Sequence, residues 1–216
     1  GQSAKFNLIA PYAELHGTTK TGSQVINGAA QGFTDPIVRV AANLYGAPAL
    51  TAEEFKTYTQ DLIIGANLAL LIPWGEYNSN QLLNVGANRT FIQPGLGVSQ
   101  AVGPWRFELA GDATLFSNNN NYLGGNTLSQ KPIYSTTGHV IYYFPSTAWL
   151  STDITYYSGG QSFVNGASRT NSQENWLMGA TLSIPINKRN AIKFHGSEGT
   201  YSSTHKNYTL YGIGWQ

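Results

Sequence analysis

Hydrophobic and polar residues alternate along most of this chain. In the longest example the even positions from Leu62 to Ile72 are all apolar, whereas the odd positions between them are mixed, small or polar. Such alternation is typical of a β-strand whose two faces meet different surroundings. The sequence therefore predicts an all-β protein. Roughly ten strands are expected, near residues 4–15, 34–46, 60–73, 88–101, 104–117, 132–144, 147–158, 173–185, 190–199 and 206–216.

The length of these strands and the position of their charges suggest a membrane protein. Most exceed the typical soluble strand of about 5–6 residues and suit the roughly 9–11 residues of a tilted membrane strand. The charged residues fall on the mixed face, not on the apolar one. A soluble barrel would turn its apolar face inward. Alternation alone does not say which face is inside, so both arrangements stay open.

The connections between the predicted strands favour an antiparallel up-and-down transmembrane β-barrel. Outer-membrane barrels alternate short periplasmic turns with long external loops. Short connections lie at 101–104, 145–147 and 186–189. Long polar connections lie at 17–33, 74–87, 117–131, 158–172 and 199–205.

Two connections carry further expectations. The connection at 47–59 is long where a short turn is expected, and Thr51 with Glu54 predicts a capping box that begins a short helix there. The low-complexity run 118–121, followed by Gly124 and Gly125, predicts a mobile external loop.

Tryptophan and tyrosine residues cluster at the predicted strand ends. Their rings combine an apolar body with a polar edge, which favours the bilayer interface. The alternative is that aromatic residues simply flank the turns, as in any β-protein. The predicted interface residues are Trp105, Tyr142, Trp149 and Trp215 at the periplasmic end and Trp74, Tyr156 and Trp176 at the external end.

The composition narrows the possible functions. Only 11% of the 216 residues are charged, against about 25% in an ordinary soluble domain, which suggests that part of the surface does not meet water. The net charge of +1 argues against nucleic-acid binding. The absence of cysteine excludes thiolate metal sites and thiol catalysis. No apolar run reaches the roughly 20 residues of a membrane helix, and no signal peptide is visible.

The mixed face carries the candidate functional residues. They would line the barrel interior, and two interpretations stay open: a salt-bridged lining that closes the barrel, or a polar conduit for solutes. The residues are Arg39, Arg89, Arg106, Glu108, Asp112, His139, Asp153 and Lys193.

Catalytic and metal chemistry have little support in the sequence. Ser135 and His139 share a predicted face, but four residues of strand separate them by about 13 Å, too far for a serine–histidine pair. The histidines show no metal-ligand spacing. We therefore expect no cofactor, no metal and no enzymatic activity.

Several motifs resemble one known family. They include the run 33–40, the segment Gly46-Ala47-Pro48-Ala49-Leu50, the segment 94–99, Gly103-Pro104-Trp105, and Gln173-Glu174-Asn175-Trp176. In this order along nearly the whole chain they resemble the "putative MetA-pathway of phenol degradation" family. The resemblance implies a Gram-negative outer-membrane β-barrel, loosely described as a transporter of aromatic or hydrophobic compounds, with no catalytic residues to carry over. It also implies about twelve strands in the full protein, about two more than are visible here.

These observations lead to one leading hypothesis and several alternatives. The leading hypothesis is a single-domain barrel, residues 1–216, that contacts outer-membrane lipids and passes small hydrophobic or aromatic solutes by diffusion. The alternatives are a structural barrel that anchors an envelope complex, an outer-membrane hydrolase and a soluble barrel. Homo-oligomerisation or binding of an envelope partner is compatible with both the channel and the structural barrel.

Overall fold

A computed structural model describes residues 1–21, 24–187, 189–202 and 208–216, with the backbone only at 19–21 and 24–27. The described residues contain no helix with the length and hydropathy that crossing a membrane would require. In chain order the strands are β1 (Ala4–Ile9), β2 (Tyr12–Thr21), β3 (Gln24–Phe33), β4 (Ile37–Tyr45), β5 (Leu62–Leu71), β6 (Phe91–Val102), β7 (Trp105–Phe116), β8 (Asn119–Tyr122), β9 (Asn126–Gln130), β10 (Ile133–Tyr143), β11 (Trp149–Gly159), β12 (Ser162–Val164), β13 (Ala167–Ser168), β14 (Gln173–Asn187), β15 (Asn190–Ser202) and β16 (Thr209–Trp215).

Ten of these strands form one antiparallel sheet in the order β1-β4-β5-β6-β7-β10-β11-β14-β15-β16. Each of the ten strands predicted from the sequence corresponds to one strand of this sheet, which confirms the all-β antiparallel fold. Each strand of this sheet pairs with the sheet strand that comes before it and the one that comes after it along the chain, so the topology is up-and-down. Within the described residues, β1 and β16 each pair on one side only.

Short and long connections lie at opposite ends of the sheet, as the sequence predicts. We call these the short-turn end and the long-loop end. β6–β7, β10–β11 and β14–β15 are joined at the short-turn end, whereas the connections after β1, β5, β7 and β11 lie at the long-loop end. The predicted connection at 199–205, and the predicted start of the last strand at 206, fall partly outside the described residues.

The connection between β4 and β5 is long although it lies at the short-turn end, and it contains the predicted helix. Helix α1 spans Ala52–Phe55, and the Thr51 side chain accepts a hydrogen bond from the backbone N–H of Glu54. In return, the backbone N–H of Thr51 donates to the Glu54 carboxylate at 2.8 Å. The capping box is therefore present. The Tyr58 hydroxyl donates to the carbonyl of Gly46 at 2.5 Å, which closes the connection on itself.

The predicted loop at 17–33 is a β-hairpin in the structure. Strands β2 and β3 pair over their full length of ten residues. Pro11 and Pro36 lie where the chain leaves β1 and enters β4. Because proline cannot donate to a β-ladder, these two positions separate the hairpin from the large sheet. The first predicted strand, 4–15, is accordingly divided between β1 and β2.

The predicted external loop around 118–121 contains β-strands in the structure. β8 and β9 form a hairpin, β12 and β13 form another, and the four strands pair into a small sheet in the order β13-β12-β9-β8. The positive φ angles of Gly124 (80°) and Gly125 (97°) allow the tight turn between β8 and β9. Asn119 anchors this small sheet, since its side chain is only 1% exposed.

Burial in the large sheet is inverted relative to a soluble protein. Its apolar face is exposed, including Leu68 at 49%, Leu96 at 63% and Leu109 at 55%. Buried positions on the opposite, polar face are small or hydroxylated: Ala69, Ser135, Ser151, Thr155, Ser183 and Ser197. The prediction that two chemically different faces exist is confirmed, and the large apolar side chains are on the outside.

The sheet curves around its polar face. Thr114 on β7 and Ser202 on β15 line one pocket of about 300 Å³, although four strand spacings separate β7 from β15. In a flat sheet those strands would lie about 19 Å apart, too far to line so small a pocket. The polar face is therefore the concave, inner face.

Candidate functional site

The inner face of the large sheet carries the candidate functional residues. Strand alternation turns Arg39, Arg106, Glu108, Asp112, His139, Asp153 and Lys193 to this face, where their register partners also point. These residues lie on β4, β7, β10, β11 and β15. Neighbouring inner residues include Asn67, Ser99 and Thr137. The result is a polar concave wall with charges of both signs.

His139 lies between two carboxylates. Its register partner on β7 is Glu108, and its register partner on β11 is Asp153. Directly opposed residues have Cβ atoms about 4.5–5.5 Å apart. The same row continues to Gly179 on β14, where an added Cβ would lie 2.5 Å from a carboxylate oxygen of Asp153. Gly179 therefore leaves room for the Asp153 side chain.

A chain of hydrogen bonds links Arg106 to Glu108 along the inner wall. Nε of Arg106 donates to the Gln60 side chain at 3.3 Å, and Gln60 donates to Ser99 Oγ at 2.9 Å. Ser99 then donates to the Glu108 carboxylate at 3.0 Å. Gln60 belongs to the long connection at the short-turn end, so this connection contributes a side chain to the inner face.

Asp112 has neutral partners. Gln93 donates a short hydrogen bond to its carboxylate. Gly95 is its register partner on β6, and an added Cβ on Gly95 would lie 2.7 Å from the Asn67 amide nitrogen and 3.1 Å from the Asp112 Cβ. Glycine at this position lets Asn67 and Asp112 approach each other across β6.

The inner-wall charges do not pair with each other. Among the described residues the ion pairs are His16–Glu14 and Lys56–Glu53, both exposed and both outside the large sheet. Two of the inner cations instead face aromatic rings, with Arg106 5.4 Å from the Tyr143 ring and Lys193 5.3 Å from the Trp149 ring. The salt-bridged lining considered from the sequence is therefore absent from the described wall.

Arg89 is placed differently from the other candidate residues. It lies in the connection before β6, where its guanidinium stacks 4.5 Å from the Phe116 ring and donates to Gln130 at 2.6 Å. Burial lowers the pKa of Arg89, whereas Tyr122 acts in the opposite direction. Its Nη1 atom is buried without a hydrogen-bond partner in the described part of the chain. Arg89 thus joins the inner wall to the loops at the long-loop end.

A network centred on Asn119 holds the loops at the long-loop end together. Its side-chain amide donates to the Tyr77 hydroxyl at 3.1 Å and to the Ala87 carbonyl at 3.2 Å. Its oxygen accepts from the Asn88 side chain and from the backbone of Asn121, each at 2.9 Å. Nothing in the sequence distinguishes Asn119 from its asparagine neighbours, so the pattern did not reveal this role.

The outer face carries most of the predicted interface aromatics. Trp105 and Tyr142 pack at 4.7 Å near the short-turn end, and Tyr156 and Trp176 pack at 4.7 Å near the long-loop end. Trp215 lies on the outer face of β16, and Trp74 is 77% exposed in the connection after β5.

Trp149 is the exception and corrects the prediction made from the sequence. Its register partners are Tyr143 and Ser183, and it faces Lys193, so it lies on the inner face. Adjacent strand residues point to opposite faces, and Leu150 occupies the outer position instead. Proximity to a turn therefore did not determine which face this indole occupies.

The structure does not bring Ser135 and His139 together as a catalytic pair. Ser135 pairs with Asp112 and Tyr157, whereas His139 pairs with Glu108 and Asp153, so serine and histidine occupy separate register rows. No group of three or more potential metal ligands occurs among the described residues.

The comparison with protein families decides the membership of this chain. The model of the family described as "Putative MetA-pathway of phenol degradation" matches residues 1–213. The chain belongs to this family. The membership confirms the resemblance noted from the motifs, over essentially the whole of the sequence.

Other comparisons extend the family assignment at the level of the fold. A crystal structure of an outer membrane channel from Pseudomonas putida F1 superposes with a TM-score of 0.78 at 17% sequence identity, covering 97% of this chain and 74% of that one. At 17% identity this similarity shows a common fold and no more. The chain therefore shares its fold with that outer membrane channel. No curated protein matches the chain by sequence.

Proposed function

We propose that this protein is an outer-membrane channel of a Gram-negative bacterium that lets small hydrophobic or aromatic solutes diffuse inward. The observation that carries the proposal is the inverted burial of the large sheet. Its large apolar side chains cover the outer, convex face, and its charges line the concave face. A protein built in this way needs lipid outside and water inside.

Lipid contact follows from the size of the exposed apolar surface. Monomeric soluble proteins rarely expose contiguous apolar patches above a few hundred Å². Here exposed apolar side chains recur on every second residue of neighbouring strands, for example Leu96 on β6 and Leu109 on β7, at 63% and 55% exposure. In a bilayer these side chains would meet acyl chains, and the outward aromatic residues would lie near the lipid headgroups.

Passage of solutes follows from the charges of the inner wall. Charges locked together would fill the interior, whereas Glu108, Asp112 and Asp153 have neutral polar neighbours or glycine beside them. Barrels with about eight strands are filled by their own side chains, and those with 16–18 leave a wide aqueous channel. A barrel with ten or slightly more strands would be narrow, so we expect slow and selective flux.

The comparisons support the proposal in two ways. The family description refers to phenol degradation, which suggests an aromatic solute. The superposed Pseudomonas putida structure is described as an outer membrane channel. Transport by diffusion needs no chemical step.

Conductance in planar lipid bilayers tests the proposed function. We expect the purified protein to produce small conductance steps, and phenol to enter protein-containing liposomes faster than empty ones. Because phenol also crosses lipid unaided, the rate must scale with the amount of protein. A protein that co-purifies with envelope partners and produces neither conductance nor protein-dependent uptake would support the structural alternative instead.

A further inference from the structure

A neutral pocket opens on the inner face near the long-loop end. It has a volume of about 300 Å³ and includes residues from β7, β10, β11, β14 and β15. The inner-face residues used in the argument are Thr114, Ile133, Tyr157, Gln173, Asn175 and Leu177. We infer that this pocket binds one uncharged aromatic ring carrying a hydroxyl group. The inference rests on the proposed function, because it names the solute class and its first binding site.

The size and lining of the pocket suit a single ring. An apolar cavity of about 150 Å³ is enough to bind benzene, so this pocket of about 300 Å³ is large enough for one substituted ring. Ile133 and Leu177 supply apolar contacts, and Tyr157 supplies an aromatic one. Ligand pockets are typically mostly apolar with a few polar groups that fix orientation.

The polar groups that the described residues contribute to the pocket are neutral. Amide and hydroxyl groups come from Gln173, Asn175 and Thr114, and the Asn175 amide lies 3.5 Å from the Gln173 side-chain oxygen. These groups can donate to and accept from a hydroxyl. No described lining residue carries a charge, so an aromatic carboxylate would lose its hydration without meeting a cation. The pocket therefore favours a phenol over a benzoate.

A β-bulge shapes the pocket wall. The register between β14 and β15 shifts between Trp176 and Leu177, and Leu177 then pairs with Gly199. Bulges redirect side chains and are common beside binding sites. Here the partner of Leu177 is a glycine that lines the same pocket, so no side chain from β15 covers Leu177 at that position. The β-bulge between Trp176 and Leu177 therefore lies in the wall of the pocket.

The pocket precedes the charged part of the wall. Ile133 begins β10 at the long-loop end, whereas His139 and its two carboxylate neighbours lie further along β10 and its neighbouring strands. A solute arriving at the long-loop end would meet the neutral pocket first. The pocket that would bind the aromatic ring is thus separate from the charged part of the wall around His139, which the solute would reach next.

Equilibrium dialysis of labelled phenol against the purified protein in detergent tests the inference. We expect saturable binding that weakens about tenfold or more in Ile133→Phe, equivalent to about 1.4 kcal/mol, because the larger ring fills the pocket. Ile141→Phe is the matched control, since it lies on the same face of the same strand near the short-turn end. It should change binding by less than about twofold, equivalent to about 0.4 kcal/mol.

Two further measurements keep the test decisive. Leu177→Phe should weaken binding as Ile133→Phe does, and it replaces that variant if circular dichroism shows that Ile133→Phe fails to fold. Benzoate should bind about tenfold or more weakly than phenol. Unsaturable phenol binding, or equal affinity in the wild type and the folded pocket variants, would overturn the site. Benzoate binding as tight as phenol binding would overturn the ligand class.

The outcomes for the site and for the channel are separable. Phenol binding without conductance or protein-dependent uptake would keep the pocket and contradict the channel. Conductance without saturable phenol binding would keep the channel and contradict the pocket.

Discussion

Trp149 and Lys193 pack against each other on the inner face, with the lysine Nζ 5.3 Å from the indole ring. Trp105 lies on the opposite face, where it contacts Tyr142 at 4.7 Å. Both tryptophans adjoin turns at the same end of the sheet. They are therefore a matched pair for asking which face meets lipid.

Single-tryptophan variants should separate the two faces. In vesicles containing lipids brominated near the headgroup, we expect strong quenching of the fluorescence of a variant that keeps only Trp105, because its ring would lie at the membrane interface. A variant that keeps only Trp149 should be quenched by aqueous acrylamide instead. Equal quenching of both by the lipid would contradict the assignment of the inner face.

Asn119→Ala should loosen the loops at the long-loop end. The substitution leaves buried partners of the Asn119 amide unsatisfied, at a cost of about 1–3 kcal/mol for each group. We expect hydrogen exchange of residues 119–130 to accelerate on the order of tenfold or more, with little change in β10. Asn120→Ala is the control, because Asn120 is exposed beside the buried residue. Unchanged exchange in Asn119→Ala would mean that the network does not hold the loops.

Asp153→Asn should shift the ion preference of the channel. A unit charge about 8 Å from a passing ion contributes about 0.5 kcal/mol in water, or roughly a twofold effect. Because the same charge attracts the cation and repels the anion, we expect the cation-to-anion permeability ratio, taken from the reversal potential in a salt gradient, to fall by about the square of that factor, roughly four- to sixfold. Glu53→Gln on α1, with its side chain 83% exposed, removes an equal charge and should leave the ratio unchanged. Equal shifts in both variants would place the ion path elsewhere.

The capping box of α1 should open in acid. Hydrogen bonds from the backbone and then the side chain of Thr51 lower the pKa of Glu54. Because this pKa is depressed in the folded state, the ionised carboxylate stabilises the cap above about pH 4.5, and this contribution is lost as the pH falls through the folded value. The amide proton shift of Thr51 should report the loss by NMR.

Two glutamine variants provide the control for this pH dependence. Glu54→Gln keeps a side-chain acceptor but removes the titrating group, so the acid-dependent shift of Thr51 should disappear. Glu53→Gln leaves both hydrogen bonds of the box in place, and the shift should persist. A shift that persists in Glu54→Gln would assign the titration to another group.

Local patterns explain how much of the fold was predictable. Each strand of the large sheet appeared in the sequence because period-two alternation is a property of neighbouring residues. The box formed by Thr51 and Glu54 is equally local. The hairpin β2–β3 was missed because its inner segment has small and polar residues without clean alternation, for example Gly28 to Gly32.

The candidate site was only partly predictable. Alternation assigned Glu108, His139 and Asp153 to one face, but not to one register row. Gln60 was missed because it precedes β5 in a connection and reaches the inner wall through Ser99 and Arg106. The pocket around Tyr157 and Leu177 was missed because its residues come from strands far apart in the sequence.

The sequence by itself determined the ten strands of the large sheet, their two chemical faces and the alternation of short and long connections. These features depend on residues within a few positions of one another. Only the tertiary structure decided that His139 meets Glu108 and Asp153, that Trp149 turns inward, and that the loops pair into a second sheet. Strand register, curvature and loop packing depend on contacts between distant segments, and a one-residue change in register would reassign every face and every partner.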